Sequence, residues 1–158
     1  MELRKFYSAA CLAAAGVARR LHRAVRGRER IFFGYQFAKK AATPDAIPGY
    51  AVDAYVDAIV ADPRGLPASF AYYRALDETI AQNEQRKQTR LTLPVLAVGG
   101  ARYTGAAAAA TMRLVADDVT EVVIDDCGHY VAEEQPARFT EILQDFLGGK
   151  PAAGVAHG

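Results

Sequence analysis

The sequence predicts an α/β protein in which a helical block precedes a β-α-β-α unit with parallel strands. Two short apolar runs predict the strands: residues 93–100 end in two glycines, and residues 121–126 end in two aspartates. Short apolar runs of this kind are typical of buried parallel strands. A helical pattern lies between them, and such a crossover joins parallel neighbours of one sheet.

Length and composition bound the class of protein. A chain of 158 residues suits one domain with a substantial core, and 51% hydrophobic with 23% charged residues is ordinary for a globular protein. The net charge of +1 gives no general affinity for nucleic acid, and no apolar run is long enough to span a bilayer. We therefore expect neither nucleic acid nor a membrane as a partner.

Cysteine use indicates the compartment and argues against a metal centre. Cys11 and Cys127 are the two cysteines, and they make neither a disulfide framework nor a metal site. We therefore expect a reducing, cytoplasmic location and no bound metal.

Residues 1–27 form a basic N-terminal segment. Up to position 30 the acidic residues are Glu2 and Glu29. The basic residues outnumber them and are Arg4, Lys5, Arg19, Arg20, Arg23, Arg26, Arg28 and Arg30. An arginine-rich amphipathic helix or a frayed end is one interpretation, and such a helix could act on membranes or nucleic acid. The alanine-rich stretch at residues 9–18 loosely resembles a secretory signal, so export stays open as an alternative.

Residues 28–90 have a helical pattern. Residues 31–37 are rich in aromatic side chains, and residues 43–49 contain the turn residues of a loop. Apolar side chains recur at helical spacing over residues 50–61, and a second helix is predicted from Pro67 to Ile80. Polar residues 82–88 then form a helix end or a connector.

Residues 91–149 complete the β-α-β-α unit, and residues 150–158 are small and predicted to be disordered. The helix between the strands is predicted over residues 105–116, where alanines allow close packing on a sheet. The last helix is predicted over residues 136–147, with one apolar face.

The most informative motif joins the second strand to the last helix. His129 follows Gly128 in a tight turn at the carboxyl end of a strand, where open α/β sheets place their ligand sites. An imidazole titrates near neutral pH, so His129 is a candidate general base.

Cys127 is expected to be a small buried residue. Asp125 and Asp126 would point to opposite faces along a strand and so could not share a proton there; we expect them to end the strand.

Three stretches resemble the C-terminal half of an α/β-hydrolase of the epoxide hydrolase and haloalkane or haloacid dehalogenase branch. Residues 93–100 resemble the penultimate strand of that fold, and residues 126–136 resemble its histidine loop with the following helix. Residues 70–74 resemble the end of the helical cap over the substrate. The resemblance implies a partial α/β-hydrolase fold, with a cap-like region at 28–90 and the C-terminal part of the core at 91–149.

The resemblance also implies a chemistry that uses water and no cofactor. An aspartate attacks carbon to form an ester, and a water activated by the histidine, here His129, hydrolyses that ester. Tyr73 matches a cap tyrosine that donates a hydrogen bond to an epoxide oxygen, and its neighbour Tyr72 is a weaker candidate for the same role. The implied substrate is a small epoxide, haloacid or ester.

A nucleophile for this chemistry is missing from the sequence pattern. Gly-x-Ser-x-Gly does not occur, and the slot that often holds the catalytic acid falls near Arg102 and Tyr103. We therefore expect a fragment of a hydrolase that keeps the base and is inactive alone. The alternative is a non-catalytic binding or assembly module. Its exposed sheet edge would be covered by a homo-oligomer or by a separate N-terminal half.

Overall fold

The computed structural model describes residues 23–149. The predictions for residues 1–22 and for the tail at 150–158 therefore lie outside the described residues. Two compact units are present: one contains the described residues up to 37 together with 48–88, and the other contains 38–47 together with 89–149. Residues 38–47, which lie inside the predicted cap-like region, thus belong to the second unit. No helix within residues 23–149 is long and apolar enough to cross a bilayer.

Five helices account for the predicted helical block within the described residues: α1 (Glu29–Lys40), α2 (Gly49–Val60), α3 (Gly65–Ser69), α4 (Ala71–Arg74) and α5 (Leu76–Arg86). Helix α2 confirms the helix predicted at 50–61 and follows Pro48, whose extended backbone precedes the first turn. Ala38 and the residues after it in α1 belong to the second unit.

The single helix predicted from Pro67 to Ile80 is wrong, because the chain bends at Phe70 and again at Ala75. Their φ values are −91° and −89°, with ψ near zero, so each ends one short helix and begins the next. Phe70 and Leu76, which lie at and just after these bends, are both buried, at 4% and 1% exposed. Apolar spacing alone could not show the bends, because several short helices keep nearly the same spacing as one long helix.

The second unit contains the predicted β-α-β-α order: β1 (Val95–Gly100), α6 (Ala107–Met112), β2 (Val119–Ile124), α7 (Val131–Glu134) and α8 (Pro136–Leu147). Strands β1 and β2 pair in parallel, in a register from Val95 opposite Val119 to Gly100 opposite Ile124. The predicted parallel α/β unit is therefore confirmed, and α8 has its predicted limits.

Helix α6 is shorter than the predicted 105–116 at both ends: Gly105 has a left-handed φ of 47°, and beyond Met112 an arginine side chain binds the backbone carbonyls. The Arg90 guanidinium donates to the carbonyl oxygens of Arg113 and Leu114 at 3.2 and 3.1 Å, and also to that of Ala116. Arg90 also pairs with the Asp117 carboxylate. These bonds satisfy carbonyls that a helix end leaves without partners.

The core of the second unit lies between the sheet and α8. Its buried residues are Val122, Ile124, Cys127 and Ile142, with Leu96, Val98 and Val131 packed against them. Cys127 is 0% exposed, which confirms the expected small buried residue. The residue just before the histidine turn is thus anchored in the core.

Candidate active site

Two loops follow the carboxyl ends of the parallel strands. Residues 101–106 follow β1 and residues 125–130 follow β2, and the paired strand ends Gly100 and Ile124 lie at one edge of the sheet. The backbone N–H of Arg102 donates to the carbonyl of Cys127 at 2.9 Å, which joins the loops. This edge is where an open α/β sheet binds its ligands.

Close backbone contacts fix the histidine turn. A Cβ built on Gly128 would lie 2.5 Å from both the carbonyl oxygen of Lys40 and the amide nitrogen of Ala42. A Cβ on Gly100 would clash with the carbonyl oxygens of Gly128 and Cys127. Only glycine lets the segment after α1 and the end of β1 approach the turn so closely.

His129 is held through its backbone and flanked by two aromatic rings. Its N–H donates to the carbonyl of Lys40 at 2.9 Å. The centroid of its ring lies 4.5 Å from that of Tyr103 and 5.0 Å from that of Tyr130. The residue is nevertheless only partly covered by these rings and stays accessible to solvent. No carboxylate within residues 23–149 hydrogen-bonds to the imidazole, whose direct side-chain neighbours are these two rings.

The Glu134 carboxylate is the hydrogen-bonding centre of the loop. Its Oε2 accepts the N–H groups of Ala42 and Gly128 at 2.7 and 2.8 Å, and its Oε1 accepts the N–H of Tyr130 at 2.9 Å. One side chain therefore joins the residues on both sides of His129 to the segment after α1.

Asp126 and Arg102 link the two loops through their side chains. Asp126 has φ 49°, the left-handed conformation that favours glycine or asparagine, and it pairs with Arg102 at 2.6 Å. Both side chains are more than half exposed, so the pair adds little stability. The position predicted to lack the catalytic acid thus holds an arginine that is paired with an acid from the histidine loop.

The surroundings of His129 favour the neutral form of its imidazole. Partial burial is the main cause that lowers the imidazole pKa from 6.5; the Lys40 ammonium lowers it further, and the Glu134 carboxylate partly opposes both. Because the neutral form accepts protons, a lowered pKa keeps His129 a base at neutral pH and extends base action to lower pH.

Replacing Lys40 with methionine should raise the pKa of His129, because the ammonium that disfavours the imidazolium is removed. The matched control is Lys39→Met, which makes the same charge change at an exposed neighbour. The measurement is an NMR titration of the imidazole protons, in which His129→Ala identifies the signal. A His129 pKa that moves equally in both variants would contradict this assignment to Lys40.

Neither loop provides an activated nucleophile. Burial, followed by the Glu134 charge, raises the pKa of the Cys127 thiol, so the reactive thiolate is disfavoured. Asp125 and Asp126 are exposed, and Asp126 is paired with Arg102. No group of metal-binding side chains occurs within residues 23–149. Among the described residues, the two loops therefore place no activated nucleophile beside the candidate base His129.

The predicted substrate-binding tyrosines belong to the first unit, whereas His129 belongs to the second. Tyr73 is partly buried and packs against the cluster of Val25, Leu66 and Phe70. Tyr72 is 58% exposed, and its ring makes an edge contact with that of Tyr73 at 5.6 Å. Their role toward a substrate stays a prediction.

Three residues of the site were not predicted from sequence: Lys40, Tyr103 and Glu134. In the sequence, Glu133 and Glu134 suit the positive N-terminus of the helix after the histidine turn, and this role does not indicate the bonds that Glu134 makes. A sequence signal for Glu134 does exist, because residues four apart meet on one helical turn and Tyr130 precedes Glu134 by four. No local signal brings Ala42 to a residue 92 positions away.

No protein-family model and no curated protein matches the chain, but solved structures do. Cfl2 from Burkholderia cenocepacia is 33% identical, with a TM-score of 0.77 over 85% of this chain and 46% of that protein. A candidate alpha/beta hydrolase from Nostoc sp PCC 7120 is 20% identical, with a TM-score of 0.73 over 92% of this chain and 53% of that protein. The Cif epoxide hydrolase from Acinetobacter nosocomialis is 24% identical, with a TM-score of 0.65 over 92% and 44%.

These matches confirm the resemblance predicted from the three motifs. The chain has the fold of the C-terminal portion of an α/β-hydrolase, and epoxide hydrolases are among its structural neighbours. It spans about half of the length of the proteins that it matches.

Proposed function

We propose that this chain supplies the histidine base of an epoxide hydrolase built on the α/β-hydrolase fold. The observation that supports the proposal is the histidine loop: an exposed imidazole with a lowered pKa, held by its backbone at the carboxyl end of two parallel strands. A structural neighbour named an epoxide hydrolase favours an epoxide over a haloacid or an ester as the substrate.

The proposed reaction has two steps. An aspartate from the part of the fold that this chain does not cover attacks an epoxide carbon, the ring C–O bond breaks, and the oxygen takes a proton, for which Tyr73 is the candidate donor. His129 then removes a proton from water, the hydroxide attacks the ester carbonyl, and the diol leaves as the carboxylate is restored. The imidazolium releases its proton to solvent and the Tyr73 phenolate takes one up, so both groups return to their starting states. The balance is one epoxide and one water consumed for each diol formed.

We infer that the chain alone has little or no turnover, because a base without a nucleophile and oxyanion donors loses most of the rate. The missing groups would come from the part of the fold that this chain does not cover. The use of only two cysteines, one of which is buried and free, supports a cytoplasmic location for the assembled enzyme.

A fusion provides the test of this function. The part of the Cif epoxide hydrolase that the match leaves uncovered is joined to the full chain, and diol formation from an epoxide is measured. We expect turnover from the fusion and none from the chain alone. Turnover by the chain alone, if it is lost in His129→Ala, would contradict the inferred inactivity; a folded but inactive fusion would contradict the hydrolase function.

The second candidate function is a non-catalytic assembly module, favoured by the sheet. Within residues 23–149 the sheet has two strands, so each strand has one edge without a paired strand. Such edges pair with other chains. Homodimers, or binding of a separate N-terminal half without catalysis, would support this function. A chain that sediments as a monomer and unfolds cooperatively in urea would argue against it.

A further inference from the structure

Glu134 makes hydrogen bonds that the proposed chemistry does not use. Its two carboxylate oxygens accept N–H groups from three points of the second unit: Ala42, Gly128 and Tyr130. The last two flank His129. The N–H of His129 itself donates to Lys40, two residues before Ala42. The backbone at 128–130 is therefore held against the backbone at 40–42 on both sides of the imidazole.

These bonds are of the stronger kind, because the acceptor carries a full negative charge and is partly buried. They also converge, since three donors point at one carboxyl group. A neutral amide could not replace it. One oxygen of a glutamine could accept two of the N–H groups, but its NH₂ would then face the third donor.

We propose that Glu134 is the positioning residue for His129. It fixes the turn through the backbone of Gly128 and Tyr130, and so holds the imidazole between the rings of Tyr103 and Tyr130. It does not touch reacting atoms. The proposal rests on the proposed function only in taking His129 to be a base; the geometry that it describes is independent of any substrate.

The charges around the imidazole predict the direction in which the pKa of His129 shifts when the charge of Glu134 is removed. Within residues 23–149, Lys40 and Glu134 are the charged groups that act on His129, and they act in opposite directions; Tyr103 and Tyr130 contact it as neutral rings. Loss of the Glu134 charge therefore leaves the Lys40 effect unopposed. A residue that only stabilised the fold would not change proton binding at His129 in this direction.

The test compares Glu134→Gln with Glu133→Gln in the full chain, since both remove one negative charge from neighbouring positions. We expect Glu134→Gln to weaken proton binding at His129 by at least about twofold, measured by NMR titration. We also expect weaker nuclear Overhauser contacts between the His129 and Tyr103 rings, and faster amide exchange at Ala42, Gly128 and Tyr130. Glu133→Gln should change none of these.

Glu134→Asp keeps the charge but shortens the reach, so we expect it to lose the ring contacts. The proposal is overturned if Glu134→Gln leaves the His129 titration and ring contacts as in Glu133→Gln, even if it lowers the melting temperature. It is also overturned if both variants of Glu134 fail to fold, because Glu134 would then support the whole unit. These readouts need no substrate, so their failure and the failure of epoxide hydrolysis are separate results.

Discussion

Replacing His129 with alanine in the fused hydrolase should lower epoxide turnover by about 10²–10⁴-fold, the usual contribution of a general base. The reason is the second step of the proposed reaction, in which a neutral imidazole takes a proton from water. The lowered pKa of His129 keeps that form populated at neutral pH. The measurement is the steady-state rate of diol formation at pH 7.

The matched control for this variant is His157→Ala, a histidine substitution outside the histidine loop. We expect it to keep the rate of the unmodified fusion. Thermal melts of both variants show whether a lower rate comes from loss of the fold. If His129→Ala and His157→Ala had equal rates, His129 would not be the base.

Replacing Gly128 with alanine should destabilise the second unit by roughly 3 kcal/mol, the upper part of the range for an overpacked site. The added Cβ would lie 2.5 Å from the Lys40 carbonyl oxygen and the Ala42 nitrogen, and both are backbone atoms that cannot rotate away. Relief requires the turn to separate from residues 40–42, which weakens the bonds that Glu134 makes. The measurement is the free energy of unfolding in urea.

Gly49→Ala is the control for Gly128→Ala. A Cβ there would meet only the end of the Arg30 side chain, at 3.8 Å, so we expect a small effect of either sign. If the two variants were equally stable, the close backbone contact at Gly128 could not be what fixes the turn.

The parts of the fold that local pattern encodes were predicted from the sequence. The end of β1 at Gly100 follows from an apolar run that stops at glycines. Strand β2 (Val119–Ile124) lies two residues earlier than the predicted 121–126, since Asp126 has a left-handed φ of 49° and cannot extend the strand. Helix α8 follows from Pro136 in its first turn and Gly148 at its end. The histidine turn was predicted because a strand, a glycine and an acidic helix start surround His129 in the chain itself.

The parts that depend on distant residues were not predicted. Ala42 reaches Glu134 across 92 positions, and nothing near either residue indicates the bond. Tyr103 contacts His129 because Gly100 allows the end of β1 to approach the backbone of Cys127 and Gly128. This approach depends on how the two strands pair, and not on residues near Tyr103 in the chain. Arg90 binds the backbone carbonyls of Arg113 and Leu114 beyond the end of α6, and no pattern of side chains in the sequence indicates these bonds.

The most direct measurement of the central claim is the intact mass of the His129→Ala fusion after exposure to an epoxide. If His129 activates the water of the second step, the aspartyl ester should form and persist, and the protein should gain the mass of one epoxide. A fusion that forms diol at the unmodified rate and accumulates no adduct would contradict the claim, because its water would then be activated by another group.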